Sequence, residues 1–194
     1  MNKAELHTHI CEIIDQSFKR LTEIYKANKE GRTSSASRLI FPRLRDGKLR
    51  ISEQELRSVF VEVFNQYCDA KGVNLFYSIE TPSNDTYNFS GEPRSVSGRS
   101  AMFDLVIFDE AYNRRVLIEF KAKNADSKSH KKDIFKLSNP EEGSENVLRY
   151  FIEIIDNCNG RTINSLRTKL AGSSSNIKVE NIIYSLCKEC NLYI

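Results

Sequence analysis

The segment MFDLVIFDEAYNRRVLIEFK, residues 102–121, decides the fold. Its two apolar runs, MFDLVIFD and RVLIEFK, are separated by the turn-like stretch EAYNR, and this pattern predicts a β-hairpin. Both faces of both strands are largely apolar, which is typical of strands buried at the centre of a sheet. The sequence therefore predicts a hairpin inside the core of the protein.

Two carboxylates interrupt this apolar hairpin. If the turn is centred between Ala111 and Tyr112, Asp104 lies directly opposite Glu119, with Cβ atoms about 4.5–5.5 Å apart. A one-residue slip in register removes the direct opposition but keeps the two side chains close. Buried like charges repel and are costly to desolvate, so a proton or a cation must compensate them. Lys121 lies on the same face, about 7 Å beyond Glu119 along the strand, and supplies one positive charge.

Further helices and strands are predicted before the hairpin. Apolar residues at helical spacing in 4–28 predict a long amphipathic helix, whose apolar face packs either on the core or on another subunit. Ser52 and Glu55 form a capping-box pattern at the start of a second helix, which Gly72 ends. Residues 73–79 then predict a strand.

The rest of the chain predicts a mixed sheet covered by helices. Residues 80–101 are polar and read as a long connection. After the hairpin, helices are predicted at about 131–138, 147–155 and 163–170, and a last strand at 179–187. This order indicates a single α/β domain.

Length and composition narrow the class of protein. The 194 residues, 40% hydrophobic and 28% charged, suit one globular domain and exclude disordered and collagen-like classes. Apolar runs are too short for a membrane span and charges interrupt the start of the chain, so we expect a cytoplasmic protein with no membrane partner. The formal net charge of +3 is uninformative, but residues 31–60 carry +4 and residues 111–140 carry +5. Such basic blocks are typical of surfaces that bind phosphate groups.

The cysteines give a weaker signal. Five cysteines are an odd number in a chain expected to be cytoplasmic, so disulfides are not predicted. Cys187 and Cys190 have the spacing of zinc ligands but lack two nearby partners, which favours reduced thiols.

Asp104 followed by Glu119-Phe120-Lys121 resembles the motif of the PD-(D/E)XK nuclease superfamily. Its restriction-endonuclease-like fold has an acidic residue in the second core strand and E-x-K in the third. The resemblance covers about residues 50–190, and Phe103 replaces the proline that gives the motif its name. It implies an αβββαβ core within residues 50–194, a mixed sheet flanked by helices. Residues 1–49 would form an N-terminal helix and a basic loop.

The resemblance also implies a site. Asp104, Glu119 and the carbonyl of Phe120 would bind Mg²⁺ or Mn²⁺, and Lys121 would orient or deprotonate the attacking water and offset charge on the phosphate. The chemistry of phosphodiester cleavage needs these parts: a polarising metal, an activated water and a cation near the developing charge. Mg²⁺ suits one or two carboxylates because it keeps waters for substrate phosphates.

Members of the superfamily often carry a glutamate at the start of the helix before the sheet. Glu53 shares a helix face with Leu56 and Phe60, so it is expected to point toward the sheet. Glu55 is better explained as the capping partner of Ser52. Glu53 is therefore preferred as the helix glutamate, with Glu55 as the alternative.

Basic residues near the motif are expected to contact phosphates of a nucleic acid. The predicted contacts are Arg99, Lys123, Lys131, Lys132 and Lys136. His130 is expected on the surface. Tyr87, Phe89 and Arg94 in the polar connection have the composition of a segment that orders on nucleic acid by stacking and phosphate contact.

These observations lead us to expect a metal-dependent nuclease that hydrolyses phosphodiester bonds, with DNA favoured over RNA, of a restriction, repair or defence type. An endonuclease that cuts both strands needs two active sites, so a homodimer through the N-terminal helix fits this function. The alternative is a catalytically inactive relative that binds nucleic acid or a protein partner. A third hypothesis is a structural or protein-interaction module without catalytic activity.

Overall fold

The computed structural model describes residues 1–87, 99–123, 125–156, 158–170 and 177–193. Its helices are α1 (Lys3–Lys29), α2 (Glu53–Lys71), α3 (Ser127–Leu137) and α4 (Gly160–Leu170), with a short 3₁₀ helix at Pro140–Glu142. Its strands are β1 (Phe76–Tyr87), β2 (Arg99–Phe108), β3 (Arg114–Ala122), β4 (Leu148–Ile155), β5 (Glu180–Ser185) and β6 (Cys190–Tyr193). None of the helices in these ranges is long and apolar enough to cross a membrane.

The strands form one mixed sheet, ordered β1-β2-β3-β4-β5-β6. The first three are antiparallel neighbours, β3, β4 and β5 are parallel, and β6 returns antiparallel to β5. Helices α3 and α4 lie between consecutive parallel strands along the chain, which supplies the long crossovers that parallel strands need. The predicted mixed sheet with flanking helices is confirmed.

The central hairpin has the predicted register. Leu105 pairs with Ile118 and Val106 with Leu117, as a turn centred between Ala111 and Tyr112 requires. A shift in register follows Ile107, next to the turn. The pairing ends at Leu105 and Ile118, one residue before Asp104 and Glu119, and the Asp104 side chain accepts a hydrogen bond from the Phe120 N–H.

Two hydrophobic layers cover the sheet. One contains buried residues of α1, α2 and the sheet, and the other contains buried residues of α3, α4 and the sheet. The predicted apolar stripe of α1 lies in the first layer, where Leu6, Ile10 and Ile13 have no exposed surface. Packing on the core, rather than on another subunit, is therefore how the structure uses this stripe.

One predicted helix is a strand. Residues 148–155 form β4, so the helix expected at 147–155 is wrong. Every residue of β4 is buried, and a strand buried on both faces has a nearly continuous apolar sequence instead of strict alternation. The apolar residues within such a run then also match a helical spacing.

The polar connection is shorter than expected. Strand β1 continues to Tyr87 and β2 begins at Arg99, so much of the predicted connection at 80–101 belongs to strands. Residues 88–98 lie outside the described part of the chain. Strand β6 was not predicted, whereas α3, α4 and the strand near 179–187 were.

Helix α2 begins and ends near the predicted residues, with one difference. Ser52 is the N-cap, but its side chain makes no capping hydrogen bond to the backbone. Its hydroxyl donates to the Glu55 carboxylate instead, so the predicted capping box is not formed. Gly72 ends the helix with φ 64°, the left-handed conformation that glycine adopts without strain.

We expect Ile13→Ala to lower the free energy of unfolding by about 2–5 kcal/mol, because it leaves a cavity in a packed layer. Ile13 belongs to α1, and its side chain is completely buried against the core. Gln16→Ala, on the exposed side of the same helix, should change stability by no more than about 0.5 kcal/mol. Urea unfolding of both variants measures the difference. An unchanged midpoint for Ile13→Ala would show that α1 does not pack on the core.

Candidate functional site

Asp104 lies where strands β2 and β3 separate. Backbone pairing of the two strands is last seen at Leu105 and Ile118. Beyond it, the Phe120 N–H donates to Oδ2 of Asp104 at 2.7 Å, so a side chain takes the place of a strand carbonyl. Burial raises the pKa of Asp104, and the hydrogen bond from Phe120 works in the opposite direction. The carboxylate is thus fixed by the backbone of the strand that carries Glu119.

Glu119 is buried and paired with a lysine from α3. Its side chain is 2% exposed, and Oε1 lies 2.5 Å from Nζ of Lys136. Burial raises the pKa of Glu119 well above its ordinary value, although Lys136 works against that rise. Nζ of Lys136 also donates to the Met102 carbonyl at 2.6 Å, which ties α3 to β2.

Lys121 connects three elements at the site. Its Nζ lies 2.8 Å from Oδ2 of Asp133 on α3 and 3.5 Å from Oε1 of Glu53 on α2. It also donates to the Phe120 carbonyl at 3.4 Å. Burial disfavours the ammonium form, but Asp133, Glu53 and Asp104 outweigh that effect and raise the pKa of Lys121. Lys121 is therefore an ammonium ion in this arrangement.

The preference for Glu53 over Glu55 agrees with the geometry. Glu53, the first residue of α2, faces Lys121 with its side chain 40% exposed. Burial raises the pKa of Glu53, and Lys121 opposes that rise. Glu55 is buried and pairs with Arg50 at 2.9 Å, away from this group. Of the two, Glu53 joins the site.

Two residues of α3, Asp133 and Lys136, belong to the site although the sequence did not predict them there. Asp133 and Lys136 are three residues apart on α3 and contact each other at 3.5 Å, and both are buried. Lys136 was expected on an exposed phosphate-binding surface; at 3% exposure and bound to Glu119, it cannot belong to one. The sequence offered one sign that Asp133 is buried, namely its position on the helix. Ile134 and Leu137 define the buried face of α3, and Asp133 lies beside that face.

His130 is also buried, so its expected surface position is wrong. It has no exposed surface, and Nε2 lies 2.9 Å from Oε2 of Glu153, which is equally buried. Nδ1 contacts the Asp126 carbonyl at 3.0 Å. The strand register places Glu153 beside Lys121. The His130–Glu153 pair therefore lies next to the site, within the same layer.

The remaining predicted basic contacts divide into two groups. Lys123, Lys131 and Lys132 are exposed, as contacts to phosphate require. Arg99 begins β2 and its backbone pairs with Tyr87, and only the backbone of Arg99 is described.

Of the residues in the polar connection that were expected to contact nucleic acid, Tyr87 is buried. Tyr87 is 7% exposed and its hydroxyl donates to Oε1 of Glu142 at 2.6 Å, so it is not free to stack on a base. Phe89 and Arg94 lie outside the described residues.

The five cysteines have different surroundings in the structure. All five are free. Cys190 lies 3.7 Å from Cys158, whereas Cys187 donates to Asp156 at 3.2 Å, so the two sulfurs of the C-x-x-C stretch have different partners. Among the described residues, no three His, Cys, Asp or Glu side chains are arranged to hold a metal ion.

We call the six side chains near the point where the pairing of β2 and β3 ends the carboxylate–lysine cluster: Glu53, Asp104, Glu119, Lys121, Asp133 and Lys136. Four carboxylates against two ammonium groups leave a formal charge of two negatives when all are ionised. A divalent cation would balance that charge. Two carboxylates and a carbonyl, all oxygen donors, are also the ligand types that Mg²⁺ accepts together with water. The donor set of Asp104, Glu119 and Phe120 therefore fits such an ion.

Comparison of the chain with models of protein families, with curated proteins and with solved structures found no match. The role of the cluster must therefore be inferred from its own residues.

We expect the free energy of unfolding to fall as pH rises above about 6.5, with a slope of at most about 1.4 kcal/mol per pH unit from His130. Burial lowers the pKa of His130, but the contacts with Glu153 and the Asp126 carbonyl outweigh it and raise the pKa. The native state therefore keeps a proton that the unfolded chain releases. This stabilisation is complete below the unfolded pKa and is lost as pH rises through the folded pKa.

Glu153→Gln should remove this part of the pH dependence, because a neutral amide does not favour the charged imidazole. Urea unfolding at pH values between about 6 and 9 measures it. The control is His9→Gln, which removes a half-buried histidine of α1 that contacts Tyr67, and it should retain the fall. A fall of equal size in Glu153→Gln would assign it to another group.

Proposed function

We propose that this chain is a metal-dependent nuclease of the PD-(D/E)XK type that hydrolyses phosphodiester bonds, with DNA as the expected substrate. The observation that carries the proposal is the carboxylate–lysine cluster. Asp104, Glu119 and Lys121 meet where two core strands separate, with an excess of carboxylate charge. A buried excess of like charge is costly, and a catalytic cation would explain it.

The arrangement of elements supports the same proposal. The order α2-β1-β2-β3-α3-β4 matches the αβββαβ order implied by the resemblance. Asp104 lies on the second strand and Glu119 on the third, as the motif requires. The last strand of this core would be β4, not the strand near 179–187, which is a further addition to the sheet.

Asp104, Glu119 and the Phe120 carbonyl would hold the metal ion. When bound, Mg²⁺ or Mn²⁺ would polarise the phosphoryl oxygen and lower the pKa of a bound water. The Phe120 N–H holds Asp104 in place, so this ligand needs little reorganisation on binding.

Lys121 would act as a cation. Its ion pairs with Asp133 and Glu53 favour the ammonium form, so we assign it to orienting the water and offsetting charge on the phosphate, not to removing a proton. Glu53 is the most exposed member of the cluster's ion pairs. It lies where substrate or water would enter.

A second candidate function is a catalytically inactive protein that binds nucleic acid or a protein partner. Lys136 favours it, since its Nζ lies 2.5 Å from Glu119 and neutralises that carboxylate without a metal ion. For catalysis, Lys136 would have to share Glu119 with the metal. The two functions differ in one measurable property, which is cleavage.

We expect Mg²⁺-dependent cleavage of DNA that EDTA abolishes, and we expect Asp104→Asn and Lys121→Ala each to reduce it by about 10²- to 10³-fold. Asparagine can still accept the Phe120 N–H, so Asp104→Asn removes the charge but keeps the hydrogen bond. The assay uses linear, circular and single-stranded DNA and RNA, each with Mg²⁺ and with EDTA.

Asp69→Asn and Lys19→Ala are the matched controls, because both residues are exposed and lie outside the cluster. They should cleave like the unchanged protein. Absence of cleavage on every substrate would reject the enzyme, and binding without cleavage would favour the second candidate. Cleavage that survives both site variants would place the active site elsewhere.

A further inference from the structure

A basic cavity lies beside the cluster, at the carboxyl ends of β3 and β4. Its volume is about 750 Å³. Lys123, just beyond β3, and Ile155 and Asp156, at the end of β4, belong to its wall. A smaller hollow of about 250 Å³ shares Ile51 with it and reaches Glu53. The smaller hollow therefore connects the cavity with Glu53, one member of the cluster.

The charge of the wall favours an anion. The lining residues include four bases and one acid; the bases are Lys29, Arg43, Lys48 and Lys123. The acid, Asp156, accepts the Tyr25 hydroxyl at 2.9 Å, and among the bases Lys48 pairs with Asp46 at 2.9 Å on the exposed side of residues 43–49. Three of the bases come from the end of α1 and the segment after it, within or next to the first basic block of the sequence.

The wall is held in shape by hydrogen bonds of backbone and side-chain groups. Residues 43–49 form a small hairpin in which the Leu44 N–H donates to the Lys48 carbonyl at 2.8 Å. Nη2 of Arg43 donates to the Asn28 carbonyl at 2.5 Å, and Oδ1 of Asn28 accepts the Phe41 N–H at 2.7 Å. Asn28 is buried in α1. The basic hairpin is therefore fixed against the core before any ligand binds.

Two features of the backbone that lines the cavity also favour an anion. Lys123 has φ 63°, which is uncommon for a residue with a side chain and is a recurrent feature of functional sites. Thr162, in the first turn of α4, lines the cavity. The amino end of a helix carries partial positive charge, which favours anions.

We propose that this cavity binds the sugar–phosphate backbone of the nucleic acid next to the cleaved phosphate. The inference rests on the proposed function and adds to it a binding surface built by Lys29, Arg43, Lys48 and Lys123. The cations suit phosphates, and the buried side chains of Ile51 and Ile155 offer an apolar floor against which sugar faces pack. Because the cavity and the smaller hollow share Ile51, a bound strand would continue from the cavity toward Glu53 and the cluster.

The test is DNA binding as a function of salt, in EDTA so that no cleavage occurs. Fluorescence anisotropy of a labelled DNA duplex gives the dependence of affinity on KCl. The triple variant Lys29→Ala, Lys48→Ala, Lys123→Ala should reduce the slope of log affinity against log salt by about 0.9 for each phosphate that is no longer neutralised, about 2.7 in all.

Lys19→Ala, Lys71→Ala, Lys178→Ala is the matched control, because it removes the same charge from exposed lysines outside the cavity. Its slope should equal that of the unchanged protein. The triple Lys→Arg variant at the cavity positions should also keep the slope, which separates loss of charge from loss of folding. Equal slopes for the cavity and control variants would overturn the proposal, as would poly-glutamate competing as strongly as DNA.

Cleavage assays keep the two proposals apart. If the unchanged protein cleaves DNA but the cavity variant keeps its slope, the nuclease stands and the cavity proposal fails. If the slope falls only in the cavity variant while no substrate is cleaved, the cavity binds nucleic acid and the nuclease fails.

Discussion

The ion pairs between α3 and the sheet are the contacts on which the rest of the site depends. Glu119 cannot remain charged in this layer without a cation, and Lys136 supplies one at 2.5 Å. Lys121 and Asp133 repeat the arrangement with the charges exchanged between strand and helix. Because each pair has one member on β3 and one on α3, rotating α3 about its axis would separate both pairs at once. The apolar residues of α3 hold the helix on the sheet, and the charged residues fix its orientation.

The hairpin was predictable in detail because its two strands are apolar and joined by a compact turn. Its register followed from the position of the turn, and Leu105 and Ile118 pair as expected. Strand β4 was not predictable by the same reasoning. Periodicity reports a difference between two faces, and β4 has none, since all of its residues are buried. Its position between two parallel neighbours, which is a long-range property of the fold, creates that environment.

The residues of the candidate site also fall into two groups, those that the sequence revealed and those that it did not. Asp104, Glu119 and Lys121 were identified because charges in an otherwise apolar strand are conspicuous, and Glu53 because it shares a face with apolar neighbours. Asp133, Lys136 and His130 lie in a segment rich in lysine, which resembles an exposed helix in composition. They are buried because Lys121, Glu119 and Glu153 on the facing strands provide partners of opposite charge. Sequence alone does not show which charges on a helix will meet opposite charges.

The hairpin at residues 43–49 has a consequence for how such a protein can diversify. Its hydrogen bonds involve mainly carbonyl and N–H groups, and Asn28 anchors it from inside α1. Lys48 and Leu44 are exposed and contribute little to the core. Their replacement would change the charge and shape of one wall while the anchor remained, so this hairpin can vary in sequence at low cost to folding. The proposed binding surface and the proposed catalytic residues can therefore evolve separately.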